Sequence, residues 1–194
     1  MKGGKAYTLD YRRKREGKTD YKSRIKLLSS KKLRVIVRRA SNNILVQVVK
    51  YDNKGDHVLA SAHTRELLKY GWKGHRGNLS SAYLVGLLCG LKAKKQGLVS
   101  GILDLGLSRT VSKSSFFAVA KGLKDSGFDL PVGKEVIPDE DRIKGKHIEN
   151  YAKMLKGKDD YEKKFSKYLK QGLKPEEISK HMEDVKNKIT QKWY

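Results

Sequence analysis

The stretch that decides the fold is residues 33–63, LRVIVRRASNNILVQVVKYDNKGDHVLASAH. Its first part has an apolar residue at every second position, a period that is typical of a β-strand with one buried face. Two further apolar runs follow, and turn-forming residues at 41–43 and 52–56 separate the three segments. The stretch therefore predicts an antiparallel meander. Its expected strands are Leu33 to Arg38, 44–49 and 58–62.

Downstream of the meander, the apolar pattern takes the period of a helix. Residues 80–96 predict an amphipathic helix, with Ser80 or Ser81 as its cap. The nearly all-apolar GILDLGL at 101–107 predicts a short strand in a central, buried position, and 114–126 predicts a second helix. The order β-β-β-α-β-α indicates an α/β (α+β) fold, in which helices cover one face of a mixed sheet.

Two segments flank this core. Residues 1–30 predict a basic N-terminal arm, extended over 1–16, and then a short helix that Asp20 caps. Residues 31–134 form the predicted core domain, and residues 135–194 a helical C-terminal extension. The extension begins with an acidic turn at 139–141. Its amphipathic helices, which must bury their apolar stripes against the core or a partner, are predicted at 146–156, 159–171 and 175–190.

The charge is strongly positive and unevenly distributed. The 194 residues include 44 Lys+Arg and 21 Asp+Glu, a formal charge of +23. Residues 1–134 carry +20 of this charge and residues 135–194 only +3. Such a charge repels itself unless a polyanion neutralises it. The partner expected from charge alone is a nucleic acid, bound mainly by the first two-thirds of the chain.

The sequence argues against a membrane partner and against an oxidising, extracellular compartment. No run of about 18 apolar residues is present, and no apolar core follows the basic N-terminus, so we expect neither a membrane partner nor a signal peptide. The one cysteine, Cys89, leaves no internal disulfide or multi-cysteine zinc site. We therefore expect a protein of the reducing cytoplasm.

No catalytic, metal or cofactor site is predicted. Gly17-Lys18-Thr19 matches the last three residues of a phosphate-binding loop motif, but Arg12 stands where that motif needs a glycine. Asp104 lacks neighbouring acids that would join it in holding a pair of metal ions. No histidine has metal-ligand spacing to another histidine or to cysteine.

The residues that suit RNA fall in four groups. Tyrosines interleave with arginines in the arm and short helix, which suits phosphate contact combined with base stacking. The first strand carries arginines opposite its apolar face, glycines at 71–77 allow close backbone approach, and the loop at 108–113 precedes a helix N-terminus. The predicted RNA-binding residues are Tyr11, Arg12, Arg13, Lys14, Arg15, Tyr21, Arg24, Arg34, Arg38, Arg39, Ser41, Asn42, Lys73, His75, Arg76, Arg109 and Lys113. A solubilising tail, a solvated sheet face and an ordinary capping loop are the alternative interpretations.

Several of these segments, in this order, resemble one ribosomal family. The segments are LRVIVRRASNNILVQVV, HVLASAH and GILDLGLSRTVSKSSFFAVAKGLKDSGFDLP, and they are similar to large-subunit ribosomal protein eighteen, the universal 5S rRNA-binding family. Tyr70-Gly71-Trp72, Gly77-Asn78, Ser81-Ala82-Tyr83 and the helical extension resemble its archaeal and eukaryotic branch.

The resemblance implies a non-catalytic protein of the cytoplasmic ribosome. Such a protein docks 5S rRNA in the central protuberance and helps join it to the large-subunit rRNA. Its neighbours include the family-five ribosomal protein. By match to the family's motif, Arg38, Ser41 and Asn42 are implied RNA contacts. Two alternatives stay open on the residues alone: a metal-dependent nuclease on a related fold, and a general nucleic-acid binder.

Overall fold

The computed structural model describes residues 8–158 and 160–193. Three parts of the sequence-based predictions lie outside the described residues. They are residues 1–7 of the arm, Asp159 at the start of the second tail helix, and Tyr194.

The predicted meander is confirmed and belongs to a four-stranded mixed sheet. The strands are β1 (Arg34–Arg39), β2 (Ile44–Asp52), β3 (Gly55–His63) and β4 (Ile102–Asp104). Their order across the sheet is β3-β2-β1-β4, with β4 parallel to β1 and the other pairs antiparallel. Hence β1 and β2 take the central positions.

The position of β4 corrects a prediction. We expected residues 101–107 to form a central, buried strand, but β4 has three half-buried residues and lies at the sheet edge. The carboxylate of Asp104 accepts a hydrogen bond from the backbone N–H of Gly106 at 3.0 Å, and Gly106 has a φ of +57°. This tight turn ends the strand after Asp104.

Eight α-helices accompany the sheet in the described part of the chain. They are α1 (Arg12–Arg15), α2 (Tyr21–Ser29), α3 (Leu79–Lys95), α4 (Ser115–Asp125), α5 (Glu140–Lys144), α6 (Lys146–Leu155), α7 (Asp160–Lys170) and α8 (Ile178–Trp193). Short 3-10 segments occur at Thr64–Tyr70, Lys134–Val136 and Pro175–Glu177. No helix among the described residues is long and apolar enough to cross a membrane.

Helix α3 is the centre of the core and is buried around almost its whole circumference. It packs against the sheet, α4 and α8. The side chain of Asn78 caps it by accepting from the backbone N–H of Ser81 at 2.8 Å, whereas Ser80 or Ser81 was expected to be the cap. Asn78 is the N-cap because the capping residue must precede the first helical residue, and the helix begins at Leu79.

The C-terminal extension packs on this same core. Ile178, Met182, Val185 and Ile189, the apolar stripe of α8, are all buried in the main core cluster. Of the two predicted destinations of the tail helices, the core is therefore the one that α8 takes. The acidic turn predicted at 139–141 is corrected, because Glu140 begins α5, whose Ile143 is buried.

The arm also departs from its prediction. Residues 12–15 form one helical turn, where we expected extended chain. The short basic helix is confirmed as α2, and its cap is Asp20, whose carboxylate accepts from the backbone N–H groups of Lys22 and Ser23. Hydrogen bonds from Ser23 lower the pKa of Asp20, so this cap stays ionised at neutral pH.

Candidate nucleic-acid interface

A groove of about 950 Å³ separates the arm and α2 from the sheet face that α3 does not cover. Successive residues of β1 point to opposite faces, and Val35 and Val37 face the core. Arg34, Ile36 and Arg38 therefore face away from α3. The basic residues that line the groove are Arg13, Lys18, Arg24, Arg34, Arg38 and Arg39.

The arm is held against α2 by two local contacts. The ring centroids of Tyr11 and Tyr21 are 5.1 Å apart. The Nε of Arg13 donates to the hydroxyl of Thr19 at 2.9 Å. These contacts hold Arg13 and Tyr21, which belong to the first predicted RNA-binding group and line the groove.

The remaining arm cations are at the surface. Arg12 pairs with Glu16 at 3.4 Å and Lys14 pairs with Asp10 at 2.7 Å, both as exposed i,i+4 pairs. Such pairs contribute little to stability, so a polyanion can replace their carboxylates at low cost. Arg15 is exposed as well.

The environment of Arg34 differs from the one predicted for it. It was expected to belong to a row of exposed cations, but its side chain is only 2% exposed and is held by two carboxylates. Its Nη1 donates to Asp104 at 2.8 Å, and its Nη2 lies 2.6 Å from Asp56. A guanidinium buried this deeply needs such partners, because an unpaired buried charge is very unfavourable. Arg34 thus serves the fold, and we withdraw it as an RNA contact.

Arg24 takes part in the same ion-pair network. Its two terminal nitrogens donate to the two carboxylate oxygens of Asp56, each at 3.0 Å, in a bidentate pair that ties α2 to the start of β3. Burial opposes the charge of Asp56, but hydrogen bonds from Arg24 and Arg34 lower its pKa below the ordinary value. Two arginines and two aspartates are balanced here, so the excess charge of the groove comes from its other cations.

Those other cations include the pair at the end of β1. Arg38 and Arg39 are exposed, and neither forms an ion pair with a described carboxylate. The chain then reverses through a tight turn, closed by a hydrogen bond from the N–H of Ala40 to the carbonyl of Asn43 at 2.9 Å. The turn leaves Ser41 and Asn42 exposed beside the two arginines.

The glycine-containing loop after the first 3-10 segment packs on this turn. The Nδ1 of His75 accepts from the backbone N–H of Gly77 at 3.1 Å, which leaves Nε2 protonated in the neutral ring. That Nε2 lies 3.4 Å from the side-chain oxygen of Asn42. A Cβ at Gly77 would stand 2.9 Å from the carbonyl oxygen of Ser41, so only glycine allows this approach. The fold thus brings together two groups of predicted RNA-binding residues, those at 38–42 and those at 73–76.

Helix α8 supports the other end of the loop, a role that no sequence pattern indicated. The backbone N–H of Lys73 donates to Nε2 of His181 at 3.0 Å, and the rings of His181 and Trp72 stack at 5.3 Å. Burial and the nearby Lys73 lower the pKa of His181, which favours the neutral ring that this hydrogen bond requires. Burial, Lys167 and Arg76 lower the pKa of His75 as well.

The fourth predicted group, at Arg109 and Lys113, does not line the groove. The groove includes the chain only as far as Ser108, and Arg109 is exposed just beyond it. Lys113 has a φ of +58° and pairs with Asp139 at 3.1 Å, which turns its ammonium toward the start of α5. Ser114 forms no side-chain cap on α4.

The groups considered for catalysis are occupied or buried. Asp104 is bound to Arg34, the partner that the sequence pattern did not show. Burial raises the pKa of Cys89 to about 12, so its thiol stays protonated. Within residues 8–158 and 160–193, no three His, Cys, Asp or Glu side chains cluster in a way that could hold a metal ion.

The chain matches a known protein family over its first half. A family described as ribosomal large subunit proteins 60S L5, and 50S L18 matches residues 5–100. Through this segment, the chain belongs to that ribosomal family. It is a structural protein of the large ribosomal subunit, an rRNA-binding component of a ribonucleoprotein that acts in translation.

The extent of the ribosomal match has a structural meaning. Residues 5–100 contain the arm, α2, the meander, the glycine-containing loop and α3, which together form most of the groove and the whole 38–42 turn. Strand β4 and the helices from α4 onward lie beyond the match. Yet Asp104 and His181, from this second part, hold residues of the ribosomal segment in place.

Proposed function

We propose that this ribosomal protein binds 5S rRNA and anchors it to the large-subunit rRNA in the central protuberance, beside the family-five ribosomal protein. The observation that carries the proposal is the junction of the 38–42 turn with the loop around His75. It presents two arginines that form no ion pair with a described carboxylate, together with a serine and an amide side chain, on one edge of the protein. Arginines supply phosphate contacts, and the amide and hydroxyl supply hydrogen bonds to base edges or 2′-hydroxyls, which distinguish RNA from DNA.

The groove beside this edge suits a folded RNA. Its excess positive charge lies on Arg13, Arg38 and Arg39, which line the groove from the arm and from β1. Tyr21 lines the groove and its ring contacts that of Tyr11, so the two tyrosines offer rings on which unpaired bases can stack. Phosphate contacts position the protein, and the turn selects the RNA.

The proposal is tested by competition between 5S rRNA and a DNA duplex of equal charge at physiological salt. The wild type should prefer 5S rRNA. Arg38→Ala and Asn42→Ala should each weaken 5S binding by about 1–3 kcal/mol, the cost of losing one good contact. Arg142→Ala, an exposed arginine on α5, removes the same charge away from the turn and is the matched control.

The outcomes separate the proposal from its alternatives. Equal affinity for 5S rRNA and DNA would indicate a general nucleic-acid binder. Metal-dependent cleavage of structured RNA that is lost in Asp104→Asn would indicate a nuclease. Reconstitution of large-subunit particles with Asn42→Ala tests the anchoring role, and we expect less 5S rRNA in those particles.

A further inference from the structure

Helix α7 lies beside the glycine-containing loop. Tyr168 of α7 is half-buried against the main core, and its hydroxyl interacts with the backbone of His75. The ammonium of Lys73 lies 3.9 Å from the position that a Cβ on Gly172, just after α7, would occupy. The end of α7 is therefore in contact range of the loop at two points.

The rotation of α7 about its axis is set by Phe165, which is buried and whose ring centroid lies 6.0 Å from that of Tyr151 on α6. The ring centroid of Phe165 lies 5.5 Å from that of Tyr161 and 6.1 Å from that of Tyr168. The hydroxyl of Tyr161 donates to Glu176 at 2.9 Å. With these residues inward, the lysines of the helix point outward and are exposed.

Two of those lysines lie on the side of α7 that faces His75. Lys167 is close enough to His75 to contribute to the lowering of its pKa. Lys164 stands one turn earlier on the same side, since residues three apart are neighbours on a helix surface. Neither ammonium lies within ion-pairing distance of a described carboxylate, and the same holds for Lys73 and Arg76 on the loop.

A cluster of four cations, none of which is in an ion pair with a described carboxylate, is self-repelling in the free protein. Of the two acids described in α7, Glu162 lies on a different side of the helix from Lys164 and Lys167. Asp160 lies one turn before Lys164 and forms no ion pair with it. The tail as a whole is nearly balanced in charge, so this concentration beside the loop is a local feature that net charge did not reveal.

We infer that α7 extends the RNA-binding surface, and that Lys164 and Lys167 bind phosphates of the same RNA that contacts the 38–42 turn and the loop. This inference rests on the proposed function. It gives part of the C-terminal extension, which lies outside the family match, a direct role in the interface. The ligand is the phosphodiester backbone, because flexible ammonium groups supply point charges and no base-reading geometry.

The test uses the full chain with Lys164→Glu and Lys167→Glu combined. We expect 5S rRNA affinity to fall at least about tenfold and the slope of log K against log salt to become shallower by about 0.9 per lost contact. The matched control combines Lys156→Glu and Lys158→Glu, exposed lysines after α6 that make the same change in net charge. Circular dichroism verifies that each variant is folded. If the double charge-reversal variant does not fold, the double variant Lys164→Gln and Lys167→Gln is measured in its place.

Each outcome decides the inference. If Arg38→Ala weakens RNA binding and the α7 reversal does no more than its control, the inference is wrong and the proposed function stands. If neither variant affects 5S rRNA binding, both fail. If the reversal abolishes binding of polyglutamate while 5S affinity is unchanged, the lysines face an acidic protein segment and the inference is overturned.

Discussion

The buried guanidinium of Arg34 donates to the carboxylate of Asp104 at 2.8 Å, joining the central strand β1 to the edge strand β4. The two side chains are 2% and 13% exposed. Asp104→Asn removes the charge and keeps the shape. We expect it to lower the free energy of unfolding by about 3 kcal/mol, because removal of one partner leaves a buried charge partly uncompensated.

Chemical denaturation measures this effect, with Asp52→Asn as the control because Asp52 is exposed at the hairpin tip. Its carboxylate contacts His57 and the backbone N–H of Asn53, both of which are at the surface. A loss in Asp104→Asn no larger than in this control would show that the Arg34 pair does not stabilise the fold. The same variant also distinguishes structure from catalysis, since a structural aspartate changes stability and no cleavage activity.

Close packing of α3 on α4 gives a second prediction. A Cβ at Gly86 would stand 2.3 Å from the carbonyl oxygen of Val119, so Gly86→Ala must push the two helices apart. We expect a loss of about 1–3 kcal/mol in the free energy of unfolding, despite the higher helix propensity of alanine. Gly133→Ala is the control, since open space surrounds that position and its φ of −63° suits alanine.

The contact between Lys73 and His181 predicts a pH dependence. Burial and Lys73 lower the pKa of His181, Asp184 opposes this effect, and Lys188 adds to it. A depressed folded-state pKa means that the native state binds fewer protons than the unfolded one. The stability contribution is therefore present above the unfolded pKa of about 6.5 and is lost as the pH falls through the folded pKa.

Thermal unfolding at about pH 7.5 and about pH 5 measures this contribution. His63, His75 and His147 also have lowered pKa values, so the wild type should lose stability from several groups. His181→Gln keeps a hydrogen-bond acceptor that does not titrate, and we expect a smaller loss than in the wild type. An identical loss in both proteins would contradict the role of His181.

We expect the arm to contribute to RNA binding and not to the stability of the fold. Helix α1 buries no residue, and the contacts described from the arm to α2 and its preceding loop are local. They include the Tyr11–Tyr21 ring contact, the Arg13–Thr19 side-chain hydrogen bond and backbone hydrogen bonds to the carbonyl of Arg13. Deletion of residues 1–16 should change the free energy of unfolding by less than about 0.5 kcal/mol. The same deletion should weaken 5S rRNA binding markedly. Loss of the folded circular-dichroism signal would show that the arm belongs to the core.

Salt dependence is the fifth prediction. With about five phosphate contacts, log K for RNA should fall with log salt at a slope of about −4 to −5. Titrations at several salt concentrations measure it, and a nearly flat dependence would exclude an interface made by these cations. Arm deletion should make the slope shallower, because cations such as Arg15 are removed.

Local patterns predicted the elements well and their environments less well. The period of two over 33–38 and the cap at Asp20 are both present in the structure. The wrong predictions concern which strands and side chains a residue contacts in the folded protein. GILDLGL was apolar enough for a central strand, but the Asp104–Gly106 turn shortens it, and β4 pairs with β1 at the edge of the sheet. Likewise, alternation placed Arg34 opposite the apolar face but could not show that Asp56 and Asp104 enclose it.

By itself, the sequence determined the mixed α/β class, the basic character of the first two-thirds and the ordered motifs of a ribosomal family. These properties depend on composition and on spacing along the chain. Only the tertiary structure decided which cations are available to RNA. Arg34 and Asp104 are 70 residues apart, and Lys73 and His181 are 108 apart. Pairing and burial at such separations arise from packing, because the partner that neutralises or supports a residue is brought to it only when the chain folds.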